Sequence, residues 1–415
     1  VEYIFALFYL SGILKSFCIY YHMPIPVDLT LLAAVLMLIS IVVHYCKEKI
    51  PLQYDKRNLI AFGFLLVFYV WLLVTLFYTP SKSYSYQKAA LFIPNILAFA
   101  YPLVLKKFNI AKFFRFISLV LPIFSIVFIS IYLDYINYRG ANKEIFEPIL
   151  GLYLVCSTLL GINVLVLACS KERIFKSSVI STSVLITSLL MMVILGARGP
   201  LIFCLVLLIL YWGFSIIKTI YIGKILTSGL KKMVYGFLFL IVFFGMFLFF
   251  GEELDYLLGR SLVRFELLMP SESAGGTNMG NSVNVRVEQL NFGMELVTDN
   301  LNNSMFGYGL GSFGILHTGQ DGRSYPHNIF LEIWIEAGLL GLCFFLCFLW
   351  MIFSKNINGF TYINILVLLF ILLNSLKSSS FIDIRVYFAI FGMYILNSNS
   401  QNSISNNRNT ILRQV

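Results

Sequence analysis

The feature that most constrains this chain is a succession of apolar blocks, each close to 20 residues long, joined mostly by short polar segments. A bilayer core about 30 Å thick is crossed by about 20 helical residues, and a helix satisfies its own backbone hydrogen bonds where no water can. The first six blocks run 3–20, 27–46, 59–78, 89–105, 113–133 and 145–169. Six more run 177–197, 200–222, 233–251, 328–353, 362–376 and 381–397, which predicts about twelve crossings. Of the 415 residues, 59% are apolar and 12% charged, against roughly 45–50% and about 25% in a soluble domain. A soluble enzyme is excluded, and the expected fold is an all-α polytopic bundle. No basic segment precedes the first block, so it is expected to be a crossing rather than a cleaved leader.

Lys and Arg test the count, because they collect in cytoplasmic connections. Alternate connections, with the C-terminal tail, carry eighteen of them, from Lys47 to Arg413, while the other short connections carry six: Lys82, Lys88, Arg139, Lys143, Arg198 and Lys377. Both termini are therefore expected in the cytoplasm. The net charge of +10 is accounted for by basic loops beside anionic membrane lipids and calls for no nucleic acid. The seven cysteines lie in or beside apolar blocks, a distribution that suggests packing rather than a disulfide framework or zinc site.

The division expected is 1–251 with nine crossings, an outward loop over 252–327, three crossings over 328–397, and a polar cytoplasmic tail over 398–415. The loop is where chemistry is expected. Its four bases, Arg260, Arg264, Arg286 and Arg323, are all arginine, and arginine offers a bidentate fork to phosphate or carboxylate. Val287, Leu290, Met294 and Val297 recur at helical spacing, predicting an amphipathic helix that lays this stripe on the membrane domain, with Arg286 at its start.

Beyond it, Gly307-Tyr308-Gly309-Leu310-Gly311-Ser312-Phe313-Gly314 contains GxGxxG. No βαβ context surrounds it, so a dinucleotide site is rejected and the glycines read as turns or as places of close backbone approach. His327 follows Pro326 at the mouth of the tenth crossing, where an imidazole can exchange a proton. His317 has no such framing, and a metal set of His317, Asp321 and His327 matches no recognised spacing. Glu332 and Glu336 lie four apart inside that crossing and must face the bundle interior or water. Arg198, between Gly196 and Pro200, sits at a helix break where a lipid headgroup would meet it.

Together these residues resemble the bacterial O-antigen ligase and polymerase family. The points of resemblance are Ala197-Arg198-Gly199-Pro200, Arg286 opening the loop helix, the Gly307–Gly311 turn, and His327-Asn328 followed after nine residues by Gly338 and Gly341. The resemblance implies a GT-C-like inner-membrane glycosyltransferase with no cofactor and no essential metal. Its donor would be an undecaprenyl-diphosphate-linked oligosaccharide, and its reaction an inverting transfer at the periplasmic face. It implies His327 as general base and Arg198 and Arg286 on the diphosphate, with Asn328, Gly309 and Gly311 lining the substrate site. The stretch from Tyr325 to Glu332 is more like polymerases, which join repeat units and can work with a chain-length regulator. The alternatives are a ligase acting on lipid A core and, from a different class, a polysaccharide transporter or flippase. An ordinary imidazole acting as base would lose its function below about pH 6.

Overall fold

A computed structural model describes residues 1–23, 28–48, 56–105, 108–137, 151–169, 174–221, 278–358, 362–377 and 380–396. Every regular element among them is helical: α1 (Glu2–Tyr20), α2 (Leu29–Glu48), α3 (Lys56–Thr75), α4 (Tyr84–Val104), α5 (Ile110–Asn137), α6 (Leu152–Cys169) and α7 (Ser178–Leu195). These are followed by α8 (Arg198–Tyr221), α9 (Asn278–Asp299), α10 (Leu301–Phe306), α11 (Ser312–Thr318), α12 (Ile329–Asn358) and α13 (Tyr362–Ser375), and by α14 (Arg385–Leu396). Eight described helices, α1 to α7 and α12, are long and apolar enough to cross a bilayer, and α8, α13 and α14 contribute shorter apolar stretches. The chain is thus a polytopic helical membrane protein. Eleven expected crossings coincide with these helices; the ninth, together with 252–277 and the tail, lies outside the described residues, and the count of twelve stays a proposal.

The chain forms two compact units. One comprises Ile13–Pro26 and Ala111–Met279, where α6 packs on α7 and α8. Its interior carries a polar ladder: Ser118 of α5 donates to Asn163 Oδ1 of α6, whose amide reaches Ser188 of α7 at 3.3 Å. Arg198 belongs to this unit, at the first position of α8. The break before it is as the sequence predicts, because Gly196 ends α7 in the left-handed region (φ 65°).

The other unit comprises Val1–Gly12, Val27–Ile110 and Gly280–Val415, and its axis is α12, which contacts α3, α10, α11 and α13. α12 is two helical pieces meeting at Gly338, whose φ of 71° and ψ of −178° interrupt the spiral. Here α4 begins at Tyr84, so Lys88 is not in a connection, as the charge count had it, but inside the helix and fully buried.

The amphipathic helix is present as α9, but it begins at Asn278, so that Arg286 lies within it rather than at its start, and the face it buries differs from the expected one. Val297 is packed in a cluster with Phe313, Leu331 and Ile335, joined by Phe292 and Leu296, whereas Val287, Leu290 and Met294 stay exposed. The cause is Gly293: a Cβ there would stand 3.0 Å from Leu331 and Ile335 side chains, so the backbone itself makes the closest approach to α12. That contact turns the helix away from the stripe its apolar side chains define.

Candidate functional site

Breaking α12 at Gly338 releases the carbonyls of the preceding turn, and buried carbonyls need partners. The glycine turn supplies two: Tyr308 N–H reaches Ile335 O at 2.8 Å and Gly309 N–H reaches Glu336 O at 3.0 Å. The Trp71 indole of α3 donates to Ala337 O at 2.7 Å. The fit leaves no room for side chains, since a Cβ on Gly338 would stand 2.3 Å from Met305 O and one on Gly309 would stand 2.5 Å from Thr79. Thr79 Oγ1 donates to Leu310 O and Thr75 Oγ1 accepts from Leu310 N–H, fastening the turn to the end of α3. Gly309 thus uses its N–H on α12, and Gly311 (φ 75°) lies against Ser81 and Ser85.

Below this turn lies a charged cluster with no access to solvent. Lys88 Nζ is 2.6 Å from Glu332 Oε1 and 2.8 Å from Glu336 Oε1, and all three side chains are fully buried. Glu332 is well provided for, accepting also from Ser380 Oγ at 2.7 Å and Phe381 N–H at 3.0 Å. Glu336 Oε2 has no hydrogen-bond partner among the described residues. Sequence reasoning put the two glutamates in the interior but missed Lys88. The signal was available: a lysine four residues after Tyr84, at the start of an apolar stretch, can belong to the helix as well as to its flank.

At the outer end of this half-helix stands His327. Asn328 caps α12, its Oδ1 accepting from Phe330 N–H at 3.0 Å and Leu331 N–H at 3.2 Å, so its side-chain oxygen is occupied by the helix. His327 itself is held at φ 56°, a conformation costing a non-glycine residue about 1–2 kcal/mol. Such strain persists only where the surroundings impose it, and it concentrates at functional sites. Its ring is 4.6 Å from that of Tyr325, and Nδ1 is buried without a hydrogen-bond partner among the described residues. Burial, aided by the positive charge of Arg286 on α9, pushes the His327 pKa down to about 4. The imidazole is therefore neutral at neutral pH, with a nitrogen able to accept a proton. This moves the ionisation well below the ordinary value assumed from sequence.

The segment leading to His327 is tied down by Asp321. Its carboxylate accepts from Ser81 Oγ at 2.7 Å, Lys82 N–H at 3.0 Å, and Ser83 N–H at 2.8 Å and Oγ at 3.0 Å. It caps the start of α4 from a distant part of the chain, and these bonds hold its pKa well below the usual carboxylate range. His317 stacks on Phe313 with ring centres 5.5 Å apart and meets Phe292 edge-on at 5.2 Å. Asp321 is taken up by the start of α4, and among the described residues no three His, Cys, Asp or Glu side chains are grouped as metal ligands. Arg260 and Arg264 lie outside the described residues, as does the Arg198 side chain.

A helical membrane bundle places a half-buried histidine with a left-handed backbone, near the positive charge of Arg286, at the mouth of a broken helix. Residues 183–346, which include Arg198, Arg286, the glycine turn, His327 and both glycines of the break, match the family described as O-antigen ligase. The match covers residues 183–346 of the 415-residue chain, so this segment is similar to the O-antigen ligase and polymerase family, whose members are glycosyltransferase-like enzymes that act on lipid-linked glycans. The family match lends no support to the flippase alternative. No curated protein matches the chain.

Proposed function

We propose that the protein is a polysaccharide polymerase, joining undecaprenyl-diphosphate-linked repeat units at the periplasmic face of the inner membrane by inverting glycosyl transfer. The observation that carries this reading is the environment of His327: a half-buried imidazole on a left-handed backbone, packed on Tyr325, whose ionisation is pushed down by burial and the Arg286 charge. In the proposed step, His327 takes the proton from an acceptor sugar hydroxyl as that oxygen forms a bond to the donor's anomeric carbon. The bond from that carbon to the lipid diphosphate breaks on the opposite face, and its electron pair leaves with the diphosphate. Arg286 stabilises the charge that develops there through bidentate hydrogen bonds. Arg198 carries the same expectation from the resemblance. Asn328, Gly309 and Gly311 act on substrate in this reading by shaping the backbone around the site. No metal or cofactor enters the step.

The description of the matched family as O-antigen ligase favours a second reading, transfer of the lipid-linked glycan to lipid A core. Reconstitution in liposomes with a lipid-linked repeat unit as the sole substrate separates the two. A ladder of lengthening lipid-linked glycans is the result expected of a polymerase. Transfer only after lipid A core is added would make the protein a ligase, and no transfer to either acceptor would overturn both readings.

A further inference from the structure

The ion pair between Arg323 and Asp383 has no part in the step just described, yet it lies one residue contact from His327. The Arg323 guanidinium donates to Asp383 Oδ2 and stands over the Tyr325 ring, its carbon 5.8 Å from the ring centre. Tyr325 in turn lies against the His327 ring. Both members of the pair are exposed, Arg323 by 56% and Asp383 by 41%, and exposed pairs add little to stability. Asp383 is nevertheless not a loose partner. Its N–H donates to Ser380 O at 3.1 Å, and Ser380 and Phe381 are bonded to the buried Glu332. A continuous series of contacts therefore runs from the buried cluster through the 380–384 segment to Arg323, Tyr325 and His327.

We infer that Arg323, held by Asp383, is a positioning residue that sets the orientation of the His327 ring through Tyr325. His327 has few other constraints on its ring: Nδ1 has no hydrogen-bond partner among the described residues, and Arg286 faces it as a like charge once it is protonated. Tyr325 supplies the flat surface that limits rotation, and the Arg323 guanidinium over its ring helps to fix where that surface stands. A small misplacement of a reacting group can cost up to about a hundredfold in rate, so an exposed pair with little effect on folding can still govern turnover.

The kinetic arm of the test rests on the proposed role of His327; a chemical arm does not. In the full-length protein in liposomes, Arg323→Gln and Asp383→Asn are each expected to lower kcat about tenfold, with KM for the lipid-linked substrate within about twofold of the parent. The charge swap of Arg323→Asp with Asp383→Arg restores an ion pair but takes the guanidinium from Tyr325, and is expected to stay as slow as the single variants. In parallel, the rate of His327 carbethoxylation by diethyl pyrocarbonate is measured against a His327→Ala background, which subtracts the other three histidines. Both single variants are expected to change that rate severalfold, and the swap to leave it changed. Unchanged carbethoxylation in both single variants would overturn the inference whether or not the protein proves to be a polymerase. A raised KM with unaltered kcat would also overturn it, by assigning Arg323 to substrate binding. If wild type makes no product while the carbethoxylation pattern holds, the proposed function fails and the positioning contact stands.

Discussion

Glu332 and Glu336 share one ammonium group on unequal terms. Glu332 accepts from Lys88, Ser380 and Phe381, while one oxygen of Glu336 has no partner among the described residues. Lys88→Met would leave two carboxylates buried without their cation, and a loss of about 3–5 kcal/mol is expected; thermal unfolding in detergent measures it. Glu336→Gln leaves one full pair and is expected to cost less than about 1 kcal/mol, whereas Glu332→Gln also weakens the hold on the 380–384 segment. At His327, a base must be neutral to accept a proton. With its pKa near 4, activity is expected to stay level from pH 7 to about 5 and to fall through about 4. Removing the Arg286 cation raises that pKa, so residual activity in Arg286→Gln should fall away at a higher pH. Asp321, held below the usual carboxylate range, stays ionised across this window and does not contribute to the acid limb. The position of His327 was legible from Pro326 before it and the apolar block after it. Its left-handed backbone and its depressed ionisation arise from packing against distant residues, which local sequence does not encode.

Among the elements, α12 and the glycine turn are made for one another. Gly338→Ala and Gly309→Ala would each drive a Cβ into backbone or Thr79, and loss of folded protein in size-exclusion chromatography is expected for both. Gly319 also has a positive φ of 72°, but a Cβ there meets nothing within 4 Å, so Gly319→Ala should cost only about 1–2 kcal/mol. The crossings were legible because a run of about 20 apolar residues has few other fates. The break was not, because Gly338 and Gly341 are as compatible with tight helix packing as with interruption; only partners for the freed carbonyls, 27 or more residues upstream at Tyr308 and Gly309, decide it. The buried face of α9 was misread for a related reason. Apolar periodicity ranks side chains, whereas the contact is set by a residue that lacks one, Gly293.

For the whole molecule, charge asymmetry predicts orientation. In a cysteine-free background, a membrane-impermeant maleimide applied to intact cells stripped of their outer membrane should label Asp299→Cys and leave Lys56→Cys unlabelled; the reverse pattern would invert the proposed topology. The covalent order of the chain adds a consequence in time. Lys88 and its first carboxylate are separated by 244 residues, and at about 5–20 residues per second roughly 12–50 s of synthesis pass between them. Throughout that interval the nascent α4 holds a lysine whose partners do not yet exist, at a penalty of up to about 2.5–3.5 kcal/mol if it lay at mid-bilayer. Its place near the N-terminal end of the helix allows the ammonium to wait at the water boundary. Arrival of α12 then draws it inward, so the last third of the protein to be made completes the insertion of the first.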